Sequence, residues 1–130
     1  MQPDRLSLIF VKPLPGFESL KKFSLFPIEN NPDFLLLQSE ENEEIGLVTV
    51  SPFSFKPDYE FKLRDEILSV LGINDPLEVK VISIVTLSKD VKGITYNLKA
   101  PVIINVNNGH AMQIILDNDE YLIKHPLIGE

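Results

Sequence analysis

The sequence predicts a mainly β fold, a small sandwich or barrel of about nine short strands with one short helix. Three observations carry that reading. Ten prolines and six glycines cut the 130-residue chain into segments of strand length. Several of those segments are rich in β-branched residues, which fit a pleated surface better than a helix. One stretch, Leu63–Leu71, instead carries its apolar residues at helical spacing.

In chain order the strand candidates are Leu6–Val11, Ser24–Ile28, Phe34–Ser39, Ile45–Val50, Tyr59–Leu63, Val79–Leu87, Ile94–Lys99, Val102–Val106 and Met112–Asp117. A helical turn is expected at Phe17–Phe23, where Phe17, Leu20 and Phe23 recur at regular intervals. Tyr59-Glu60-Phe61-Lys62-Leu63 alternates, so Tyr59, Phe61 and Leu63 face inward while Glu60 and Lys62 face water. The helix, around residues 64–71, aligns Leu63, Ile67, Val70 and Leu71 in one stripe. Asp65 and Glu66 near its start suit the helix dipole, and Gly72 is placed for a left-handed cap. Val79–Thr86 is apolar on both faces, as a central strand would be. Asp117-Asn118-Asp119-Glu120 reads as a hairpin turn between Met112–Leu116 and Tyr121–Ile123. No repeat or composition shift divides the chain, so residues 1–130 are expected to form one domain.

An apolar content of 44% with 24% charge is that of a globular protein. No cysteine is present, which excludes a disulfide scaffold, a thiolate metal site and a cysteine nucleophile. No stretch approaches the roughly 18 uninterrupted apolar residues of a membrane span. Met1-Gln2-Pro3-Asp4-Arg5 carries an acid and a proline and leads into too short an apolar stretch for a secretory signal. A soluble, unexported, cytoplasmic protein with no membrane contact is the expectation. The net charge of −7, from 19 acids against 12 bases, argues against direct nucleic-acid binding. It favours a basic partner, or simply solubility.

The catalytic inventory is nearly empty, and no enzyme, cofactor or metal is expected. The histidines are His110, in Asn107-Asn108-Gly109-His110, and His125, before Pro126. Neither has a second histidine at ligand spacing. His125 reads as an anchor for the C-terminal segment, hydrogen-bonded through one ring nitrogen. Asp117–Glu120 lacks the glycine and distal glutamate of a calcium loop. Asn97 and Asn105 read as side-chain amides that tie off loose backbone groups.

Two features could bind a partner. Glu40, Glu41, Glu43 and Glu44 cluster between two strand candidates, and Asp117, Asp119 and Glu120 form a second acidic tip. They are either solvated loops or patches of a surface for a basic protein. Phe53, Phe55 and Tyr59 cluster around Pro57 and are either core or the lining of an apolar groove.

A series of short phrases runs through nearly the whole chain: Leu14-Pro15-Gly16-Phe17-Glu18, Leu37-Gln38-Ser39, and Pro52-Phe53-Ser54-Phe55-Lys56-Pro57-Asp58-Tyr59-Glu60. Thr95-Tyr96-Asn97-Leu98-Lys99-Ala100-Pro101, Ile104-Asn105, Gln113-Ile114-Ile115-Leu116 and Lys124-His125-Pro126 follow. In this order and spacing the chain resembles the FliW family of flagellar assembly factors. The resemblance implies a small, mostly antiparallel pseudo-barrel capped by a short helix. It also implies a non-enzymatic protein with two partners. One is flagellin, held before filament assembly, for which Phe53, Phe55 and Tyr59 are the candidate apolar contacts. The other is the regulator CsrA, a small basic RNA-binding dimer kept from repressing flagellin translation, for which the two acidic tips are the candidate contacts. Ser51 stands where the family often has aspartate, and Lys124 where it has arginine. A barrel binding a small ligand or oligosaccharide is the alternative, weakened by the absence of tryptophan and by only three tyrosines.

Overall fold

The structure, a computed structural model, describes residues 5–128. The expectation drawn from Met1–Asp4, that no export signal begins the chain, lies outside the described residues. The first half is an antiparallel meander of β1 (Leu6–Phe10), β2 (Lys22–Ile28), β3 (Asn31–Ser39) and β4 (Gly46–Val50). Its residues alternate: Leu8 and Phe10 are buried while Ser7 and Ile9 face out. Asn30 takes the left-handed position (φ 69°) in the turn between β2 and β3, a conformation asparagine tolerates. At Ser51-Pro52 the meander stops. Proline suits the first position of a helix, and a single turn, α1 (Pro52–Phe55), follows.

The second helix, α2 (Asp65–Leu71), ends where Gly72 adopts φ 69° and donates its N–H to the Leu68 and Ser69 carbonyls. After a 3-10 turn at Pro76–Glu78 comes β5 (Val79–Thr86), the central strand. One edge of β5 pairs with β4 through Thr49↔Ile84 and Val50↔Ser83. The other edge pairs with β7 (Val102–Asn105) and then β6 (Thr95–Tyr96), which is in turn extended by β9 (His125–Pro126). The last ring member, β8 (His110–Gln113), is antiparallel to β7 and parallel to β1. The β4–β5 pairing closes the ring β4-β3-β2-β1-β8-β7-β5 into a barrel. Among the described residues, nine strands, mostly antiparallel, and two short α-helices make the fold mainly β, as expected.

Leu8, Phe10, Phe23, Leu25, Leu37 and Ile82 fill the barrel interior, with Phe10 and Phe23 edge to face at 5.2 Å. Each such side chain contributes about 1.5–3 kcal/mol on burial. Ile103 and Met112 lie on the opposite face of their strands and pack on α2 through Leu71. The capping helix therefore covers the outer face of β7 and β8, and every residue of β7 is buried. A third, aromatic-rich cluster gathers Tyr59, Tyr96, Leu98, Tyr121 and Leu127.

Several expected elements differ. Tyr59–Leu63 keeps its alternation but is no strand: β4 ends before it, and Tyr121 Oη bridges the Glu60 N–H and carbonyl (both 3.1 Å) where a strand would pair. Phe17–Phe23 forms no helix. Phe17 N–H bonds to Leu14 and Leu20 N–H to Phe17 in two separate turns, with Gly16 at φ 87°, and Phe23 already belongs to β2. The hairpin of Met112–Leu116 with Tyr121–Ile123 is absent, because the Leu122 carbonyl accepts from Leu98 and Lys99 instead. The strand expected at Ile94–Lys99 shortens to β6, since Asn97 Oδ1 accepts the Ala100 N–H (2.9 Å) and bends the chain.

Candidate functional site

Where α1 leaves the barrel, a groove of about 590 Å3 opens beside β5. Phe53, Phe61 and Leu63, Leu68 of α2, and Val79 and Val81 of β5 supply its apolar lining. The sequence pattern placed Phe61 and Leu63 inward without showing what they face. Their partners come from segments far apart in the chain, so only their alternation was visible beforehand. Glu60, Lys62, Asn74 and Asp75 add polar groups to a mostly apolar lining, which suits apolar side chains with charged flanks.

The three aromatics singled out in the sequence part company. Phe53 is 42% exposed and lines the groove. Tyr59 is buried: its hydroxyl donates to the Leu98 carbonyl at 2.7 Å, and its ring lies 4.7 Å from Tyr121 and 5.6 Å from Phe53. Burial, with Tyr121 and Tyr96 adding to it, pushes the Tyr59 hydroxyl above the ordinary phenol range, so it stays a neutral donor. Phe55 is half-buried against Phe34 (5.9 Å) and Tyr96 (6.1 Å), in the aromatic core. It does not line the groove.

The β3–β4 tip is ordered by its own polar groups. Ser39 Oγ accepts from Glu41 and Asn42 N–H, Asn42 Oδ1 accepts from Glu44 N–H, and Gln38 Nε2 donates to the Glu43 and Ile45 carbonyls. Glu41 is turned back onto the barrel and accepts from the Lys21 and Lys22 N–H groups at 2.7 and 3.1 Å. Glu40 lies 4.0 Å from Arg5. Glu43 and Glu44 point out with no ion pair among the described residues. The second tip is largely neutralised, with Asp117 on Arg64 at 2.8 Å and Asp119 on Lys99 at 3.2 Å, and Glu120 left exposed. Each tip thus has its own basic neighbours.

The Lys21 N–H, then that of Lys22, holds the Glu41 carboxyl below the ordinary glutamate range. A depressed carboxylate contributes above the unfolded value and ceases to as pH falls through the folded one. In an NMR acid titration the Lys21 and Lys22 amide shifts should move with a midpoint below that of a free glutamate side chain. A midpoint at or above it would mean that Glu41 does not anchor the loop.

Asn97 and Asn105 do tie off backbone groups. Asn105 Nδ2 donates to the Leu71 and Gly72 carbonyls at 2.8 and 3.1 Å and fastens the end of α2 to β7. His125 differs from expectation: Nδ1 is buried without a hydrogen-bond partner among the described residues, and the ring sits edge-on to Tyr96 at 5.6 Å. Desolvation, then Lys56, lowers its pKa. The β9 backbone, rather than the ring, ties this segment down. No three His, Asp or Glu side chains converge as a metal site among the described residues, and no helix among them is long and apolar enough to cross a membrane.

The model of the FliW protein family matches residues 1–127. A flagellar assembly factor FliW of Clostridium botulinum (strain Langeland) is 46% identical over 123 residues, 95% of this chain and 86% of that protein. One from Clostridium beijerinckii is 47% identical over 123 residues, 95% and 87% of the two chains. A crystal structure of the flagellar assembly factor FliW superposes with a TM-score of 0.88 at 35% identity, covering 100% of this chain and 89% of that one. With the barrel, its capping helix and the matched phrases in place, the chain belongs to the FliW family of flagellar assembly factors.

Proposed function

We propose that this protein is a cytoplasmic, non-catalytic partner switch: it holds flagellin before filament assembly, and it binds CsrA and so prevents repression of flagellin mRNA translation. The observation that carries the reading is a pair of unlike surfaces on one rigid barrel. The groove beside β5 suits an apolar segment, and the outward Glu43 and Glu44 suit a basic protein. No intrinsic RNA affinity is expected at a net charge of −7. The ligand-binding barrel is the weaker alternative, since the barrel interior is filled by Leu8, Phe10, Phe23 and their neighbours.

Flagellin is assigned to the groove through Phe53 and Tyr59, with Phe55 acting from behind them. Phe53→Ala should weaken flagellin binding about tenfold while costing little stability, because the side chain is 42% exposed. Calorimetric titration with a parallel thermal melt checks both halves, and unchanged binding would remove flagellin from this face. Reversing Glu43 and Glu44 together to lysine should slow association with CsrA, with exposed pairs worth about 0.2–1 kcal/mol each. Stopped-flow association across a salt series reads this out. Rates independent of salt would place the CsrA contact away from these acids, or make it apolar.

A further inference from the structure

Beyond its pairing with β4, one edge of β5 carries no further strand among the described residues. Its register with β4 ends at Val50↔Ser83, and the next β4-side residues, Ser51 and Pro52, turn away into α1. The Glu78 carbonyl accepts from Val106, and that of Ile84 from Asn97, so even-numbered residues of this strand direct their backbone groups toward β7 and β6. Val79 and Val81 therefore direct theirs toward the vacated edge. Val79 N–H is taken by the Pro76 carbonyl. The Val79 carbonyl and both backbone groups of Val81 have no hydrogen-bond partner among the described residues. Both residues line the groove. Phe61–Leu63 lines the same groove, and its own backbone is equally unpaired among the described residues.

Resting on the reading of this groove as the flagellin-docking site, we propose that the bound segment is not a helix but an extended strand added to β5 at Val79–Val81. Every second side chain of the added strand enters the groove, while the open carbonyls and N–H supply its backbone bonds. Unpaired edge groups are a template for such pairing. The charges on the rim narrow the occupant further. Glu60 and Asp75 of the lining are exposed and form no ion pair among the described residues, while Lys62 is the cation of the lining. The segment that fits is apolar at alternate positions and flanked by lysine or arginine.

Amide hydrogen exchange on the full chain, with and without purified monomeric flagellin, tests this. In the free protein the Val81 amide should exchange fast, and with flagellin at saturation it should slow at least tenfold. Val81→Pro removes the open donor of the β5 edge without breaking a hydrogen bond found among the described residues, and should weaken flagellin binding at least tenfold. If that variant fails to fold, the exchange measurement on the unaltered protein decides. Flagellin binding with Val81 exchange unchanged overturns strand addition and leaves the docking reading standing. No flagellin binding by the unaltered protein overturns both.

Discussion

Tyr59→Ala is expected to destabilise the protein by roughly 3–5 kcal/mol, the range for truncating a buried aromatic. Tyr59 is 2% exposed and its ring meets Phe53, Phe61 and Tyr121 within 5.6 Å of each centroid. Its hydroxyl is the bond that joins the 59–63 segment to Leu98. Tyr59→Phe separates the two contributions. It keeps the packing but leaves the Leu98 carbonyl unpaired, at about 1–3 kcal/mol. Urea unfolding of both variants should show Ala losing clearly more than Phe. Equal losses would mean that the hydroxyl, rather than the ring, holds the groove wall in place. A loss below about 1 kcal/mol for Ala would show that the segment is not fastened to the core at all.

Gly109→Ala should be nearly as damaging although it adds one methyl group. Gly109 has φ 77°, a left-handed backbone that costs other residues roughly 1–2 kcal/mol. A Cβ there would also collide with the Ser7 carbonyl oxygen, a backbone atom in β1. The Gly109 carbonyl accepts the Ile9 N–H at 2.8 Å, so the collision falls on the junction where β1 meets β8. Forcing the two apart adds about 1–3 kcal/mol of overpacking strain. The expected outcome is a lower melting temperature with faster amide exchange at Ile9 and Val11, whose N–H groups bond across that junction. A variant that melts like the parent would show that β1 can shift without loss.

Much of the barrel was legible as β-branched segments of strand length set off by proline and glycine, and β5 as a strand apolar on both faces. The second helix was equally plain, since its Gly72 cap and most of its stripe are local, but Val70 of the expected stripe is 54% exposed and Leu68 packs instead. Pairing is another matter, because it is a relation between segments. Tyr59–Leu63 has the residues of a strand but pairs with none, and Glu60 bonds to the Tyr121 hydroxyl instead. The first helix, Pro52–Phe55, is too short to show periodicity, and Ser51 before Pro52 was its one local sign. The acidic tips were visible as runs of charge. That Glu41 spends its carboxylate on Lys21 and Lys22, and Asp117 on Arg64, depends on contacts the chain order does not display. Of the aromatics, Phe53 and Phe55 sit in similar local sequence, and the fold sends them to different places.

The parallel seam between β1 and β8 sets the timetable on which the molecule can be made. Ile9 cannot meet His110 until nearly the whole chain has been synthesised. At about 5–20 residues per second, the finished meander of β1 to β4 waits for seconds with both of its outer strands unmatched. Contacts so distant in sequence also form slowly once the chain is complete. Newly made copies therefore pass through a stage in which β1 and β4 are open to pairing with other chains. Crowded synthesis, as during a burst of expression, is when this protein is most exposed to aggregation.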